Sequence, residues 1–232
     1  MARTCERKEV QRLRVTFARG NAVKFITHLD LMRFWERALR RAGIALAYSH
    51  GYSPHPRLSL AAPLAVGVTS VAELMDVFLE RRYALTYFTK QLIRQLPSDV
   101  EITQVQEVGL RWPSSQSLVR FAEYEVVLDS PLTPQEIQQG LEALMAKKAL
   151  PWQRQREDQV RQYDLRALIH SLWLVERRFG ECILGMRLKT DNEATGRPDD
   201  VCAALEYADV VKEIRRTKLI LASESTLGRR FG

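Results

Sequence analysis

No apolar run in this 232-residue chain approaches the roughly 20 residues of a membrane-spanning helix, so no helical span is expected. Cysteine is scarce. Cys5, Cys182 and Cys202 are scattered, form no CxxC pair, and are expected as reduced thiols rather than a disulfide framework. There is no CxxxCxxC to hold an iron–sulfur cluster. Also missing are GxxxxGK followed by Ser or Thr, a GxGxxG after a strand, HExxH and GxSxG. Their absence removes the signatures of the P-loop, the dinucleotide fold, the zinc protease and the serine hydrolase. No cofactor and no resident metal are therefore predicted. The opening residues MARTCERKEVQRLRV are charged and lack the apolar centre of a signal peptide, which makes the cytoplasm the expected compartment.

What is present is uneven charge. The chain carries a net +7, and residues 1–110 hold 16 lysines and arginines against 10 acids. The remaining residues hold 19 against 18. An anionic partner near the first half is one reading, with RNA the leading candidate; a bias toward solubility is the other.

Periodicity predicts an α+β chain. QRLRVTFAR (11–19) alternates as a half-buried strand and is expected to resume through Val23–Ile26. HLDLMRFWERALRRAG is a helix ending at Gly43, and IALAY (44–48) reads as a second strand. A Pro- and Gly-rich loop (49–70), a strand (72–80), a helix (84–96) and a strand (101–110) follow. This βαββαβ order predicts a ferredoxin-like domain over residues 1–110. A linker, RWPSSQS (111–117), leads to a second, degenerate unit of the same order over 118–232. Within it, TPQE at 133–136 has the form of a capping box.

On a helical wheel, Leu31, Trp35, Ala38, Leu39 and Ala42 share one side of the first helix. Arg33, Arg37 and Arg40 fall on the other, with Asp30, Glu36 and Arg41 at the flanks. Two acids cannot neutralise four arginines, and guanidinium suits bidentate phosphate contact. A solvated face with helical ion pairs is the alternative. The loop brings His50, Tyr52, His55 and Arg57 together, with Pro54 and Pro56 stiffening His55. Interleaved aromatic and basic groups suit an unpaired base beside phosphates, or the loop simply packs Leu58, Leu60 and Leu64 over the sheet. His28 and His55 are candidate general bases. A metal held by His28, His50 and His55, with Asp76 or Glu73, is chemically possible on irregular spacing. The run RRTK (215–218) is a secondary candidate for phosphate contact, its charges expected on an exposed sheet face.

The segments FITHLD, ERALRRAG, GYSPHP, PLAVGV and AELMDV together resemble the signature of a bacterial family known as the radical-SAM-linked proteins. The family pattern has serine where this chain has Thr27, a swap that keeps the capping hydroxyl. The matching positions are His28, Asp30, Arg33, Arg37, Arg40, Arg41, Pro54, His55, Pro56, Glu73 and Asp76. The resemblance implies a radical SAM protein as partner, often near RNA-processing functions, and supplies no catalytic residue. Three functions follow as expectations: an RNA-binding or substrate-presenting accessory of a radical SAM enzyme, a His-dependent RNA endonuclease or modifying enzyme, and a protein-interaction adaptor.

Overall fold

In a computed structural model, the structure describes residues 9–129, 132–156, 159–178 and 180–222. Cys5 and the polar leader before Glu9 lie outside them. The chain is α+β and divides into two compact units, Met1–Leu118 and Val119–Gly232. Among the described residues no helix is long and apolar enough to cross a membrane.

Unit 1 runs β1 (Gln11–Arg19), α1 (His28–Arg41), β2 (Leu58–Leu60), β3 (Thr69–Leu79), α2 (Leu85–Ile93), β4 (Val100–Val108) and a short α3 (Ser115–Leu118). Its sheet order is β4-β1-β3-β2, with each neighbouring pair antiparallel. Leu13, Val15 and Phe17 of β1 and Met75, Val77 and Leu79 of β3 meet Leu31, Trp35, Ala38 and Leu39 of α1 in one buried cluster. Phe17 and Trp35 touch edge to face at 4.7 Å. Burying side chains of this size stabilises the unit by roughly 1.5–3 kcal/mol each.

The second strand departs from the sequence reading. Residues 44–48 make only isolated bridges, Leu46 to Leu79 and Tyr48 to Pro56. The Ala47 N–H donates to the Phe78 carbonyl, then the chain leaves the sheet. It returns when the Arg57 N–H donates to the Ala47 carbonyl (2.7 Å) and continues as β2. The edge strand is thus interrupted by an excursion that closes on itself, because Pro54 and Pro56 cannot donate to a ladder. Nor does β1 resume after Gly20. Residues Asn21–Val23 form a 3-10 turn instead. Asp99 captures this turn, accepting from the N–H of Gly20 and, through Oδ2, from that of Ala22 at 2.6 Å.

Unit 2 runs β5 (Val119–Asp129), α4 (Pro134–Ala146), β6 (Pro151–Arg156), β7 (Gln159–Asp164), β8 (Ile169–Arg178), β9 (Glu181–Lys189), α5 (Pro198–Ala204) and β10 (Val211–Leu221). Its strands are ordered β10-β5-β9-β8, all antiparallel. The hairpin β6–β7 forms a separate two-stranded sheet among the described residues. It is tied to α5, where Arg154 bonds Asp199 and Asp200 and Tyr163 donates to Asp200 at 2.5 Å. Thr133 and Glu136 complete the capping box of α4. Gly185 lies beneath Trp173, whose indole fills the space a Cβ would need.

Candidate nucleic-acid interface

Thr27 caps α1, its hydroxyl oxygen accepting from the Asp30 N–H at 3.2 Å while the hydroxyl donates to Asp30 Oδ2 at 2.7 Å. That second bond, with the Arg33 charge adding to it, holds the Asp30 carboxyl below its ordinary value. At the other end Gly43 takes a left-handed φ of 69°. Gly43 N–H then donates to Arg40 and Ile44 N–H to Leu39, closing a Schellman motif.

Between these caps the helix shows two faces. Leu31, Trp35, Ala38 and Leu39 are buried, and Arg33, Arg37, Arg40 and Arg41 are exposed. Asp30 pairs with Arg33 at 3.4 Å and Glu36 with Arg40 at 2.7 Å. Arg40 also donates to the Tyr48 hydroxyl at 3.3 Å, so the helix meets the base of the excursion. Arg41 donates to the Gln95 carbonyl, at 3.5 Å. Arg37, among the described residues, has no acidic partner.

The excursion displays His50, Tyr52 and His55 in solvent, Tyr52 fully. Ser49 braces it: its N–H donates to the His55 carbonyl, and its Oγ accepts from the His55 N–H. Arg57 stands apart from this group. It pairs with Glu9 and lies over the Phe78 ring at 4.3 Å, so it shapes the base of the loop. His28, half-buried, opens α1.

The metal arrangement weighed for His28, His50 and His55 does not assemble. Among the described residues no three His, Cys, Asp or Glu side chains gather closely enough to hold an ion. Asp76, one of its two candidate fourth ligands beside Glu73, is engaged elsewhere. It is wholly buried and bonds Arg12 at 2.7 Å, Arg14 at 2.8 Å and the Ser115 N–H at 2.7 Å. Burial raises its pKa, but those hydrogen bonds outweigh burial and leave the carboxyl below its usual value. Arg12 also donates to the carbonyls of Trp112 and Pro113, so the stretch read as a linker is anchored to unit 1. RRTK does not present a uniformly exposed face either: Arg216 is fully buried, while Arg215 faces Glu125 at 4.0 Å.

Sequence reasoning passed over two residues that shape this surface. Arg19, almost wholly buried, donates from Nε to the Val23 carbonyl and from Nη2 to those of Lys24 and Ile26. Phe25, on the loop so held, is 68% exposed. The alternation of 11–19 marked Arg19 as a strand residue, and carbonyl partners leave no trace in sequence.

A model of a family described as an uncharacterized protein conserved in bacteria (DUF2344) matches residues 12–198, from β1 to the start of α5. The chain belongs to that family. No curated protein matches it. Among solved structures, this DUF2344 chain is similar to one in a Cbf5-Nop10-Gar1 complex, with a TM-score of 0.47 and 12% identity. That likeness covers 91% of this chain and 49% of the other. It is also similar to a chain of an H/ACA RNP bound to a substrate RNA containing 2'-deoxyuridine, with a TM-score of 0.46 and 12% identity over 90% and 47% of the two chains. The DUF2344 chain thus spans about half the length of these two solved chains.

Proposed function

We propose that this protein is a cytoplasmic RNA-binding or substrate-presenting accessory that works beside a radical SAM enzyme, in RNA modification or processing. The chain is read as two tandem ferredoxin-like units, the second carrying an inserted hairpin, with the RNA site on unit 1. Arg33, Arg37, Arg40 and Arg41 meet phosphates, and His50, Tyr52 and His55 reach the same strand from the neighbouring excursion, whose base Arg57 holds. The observation that carries this reading is Arg37. It is exposed on α1 between two ion-paired arginines and has no acid of its own among the described residues. A structural helix face needs no such surplus, whereas a polyanion neutralises it and releases counterions.

Filter binding of RNA across a salt series tests the reading. Affinity should fall steeply with salt, and Arg33/Arg37/Arg40→Ala should flatten the dependence. Salt-independent binding, or a triple variant matching wild type, overturns it. The radical SAM partnership is tested separately by tagged pull-down, which should recover such an enzyme together with RNA. An enzyme recovered without RNA would favour the adaptor instead.

A further inference from the structure

We infer that Phe25 is a stacking platform for an unpaired nucleobase, which makes the ligand of this face single-stranded RNA. The inference rests on the RNA reading above and adds a residue and a strand state to it. Three observations meet at this ring. It is 68% exposed, where an aromatic of this size is ordinarily sheltered. It does not hang on a loose chain. Arg19 grips the carbonyls on both sides of it, Lys24 and Ile26, and the Gly67 N–H donates to the Lys24 carbonyl at 2.9 Å. It also has a cation against it: the Lys24 ammonium stands 5.3 Å from the ring centre.

An exposed ring held in place beside positive charge fits one class of partner. A nucleobase offers a flat face to stack on, and its own phosphate lies within reach of the neighbouring cation. In a duplex those base faces are already covered, so the ring can engage only an unpaired nucleotide. Leu29, one turn before Arg33 on α1, is a second exposed apolar side chain, at 67%. The charge sign argues against a cationic partner. An acidic peptide shares the charge of RNA but lacks regularly spaced rings to stack.

The test uses the full chain, a short unstructured RNA strand and a duplex of the same sequence. Phe25→Ala should weaken single-strand binding about tenfold and leave duplex binding unchanged. Phe25→Trp should bind the single strand as wild type or tighter. A strand carrying 5-iodouridine should photo-crosslink to the peptide containing Phe25. Thermal melting of each variant should match wild type, since the ring packs into no core. If wild type binds RNA but Phe25→Ala weakens strand and duplex equally, or neither, the stacking assignment is wrong and the RNA reading stands. Salt-insensitive or absent binding of both RNAs, with an acidic peptide bound instead, would overturn both.

Discussion

Helix α1 and strand β10 each carry a dense run of basic residues, and the two elements treat them differently. On α1 the spacing of Arg33, Arg37, Arg40 and Arg41 keeps all four in solvent, and among the described residues only Arg33 and Arg40 find acids. On β10 the alternation of a strand turns Arg216 inward, opposite Tyr124, while Arg215 faces Glu125. Charge counted along the chain is similar in the two places. Charge available to a ligand is not. What separates them is the period of the element and the acids its neighbours supply.

The largest effect should come from removing an acid rather than a base. Asp76→Ala leaves Arg12 and Arg14 buried without their carboxylate, and loss of one partner of such a cluster destabilises by about 3–5 kcal/mol. Chemical denaturation should show it, and a variant within about 1 kcal/mol of wild type would mean the arginines find other relief. The same group gives a pH signature. Its carboxyl is depressed in the folded state, so its contribution is complete above roughly pH 5 and lost as pH falls below about 4. Asp76→Asn should flatten stability in that acid window.

In unit 2 the comparable break is steric. Gly185→Ala places a methyl where the Trp173 indole lies and should cost about 1–3 kcal/mol, read from the melting temperature. The comparison of α1 with β10 is itself tested by RNA binding. Arg33/Arg37/Arg40→Ala should lower the salt slope by about 2, whereas Arg215/Lys218→Ala should leave it nearly unchanged. Equal slopes would erase the distinction drawn between the elements. The smallest expected change is a gain: Glu36→Gln releases Arg40 from its 2.7 Å pair and should tighten RNA binding by about twofold. Fluorescence anisotropy at low salt is sensitive enough to detect it.

The two faces of α1 were legible because a 3.6-residue period separates its apolar and basic positions, and Leu31, Trp35, Ala38 and Leu39 are buried accordingly. Thr133 and Glu136 were legible because capping chemistry is local. The excursion was not. IALAY has the composition of a strand, and only the closure of Arg57 onto Ala47 shows that the edge is shared between residues on either side of a loop. Asp76 gave no sign of its burial, since its partners are 62 and 64 residues away in sequence. Phe25 read as one more apolar residue between Val23 and Ile26. Its exposure follows from the turn that replaces the expected strand.

Arg19 bears on when order is acquired. Confining the backbone of a loose residue consumes about 1–2 kcal/mol of entropy, and a loop that settles only around its ligand subtracts that amount from affinity for each residue that settles. With its guanidinium bonded to the carbonyls of Val23, Lys24 and Ile26, Arg19 moves that loss into the folding reaction. A partner arriving at this surface therefore encounters residues 23–26 already at rest, and association should proceed at a rate set by encounter rather than by waiting for the loop to form.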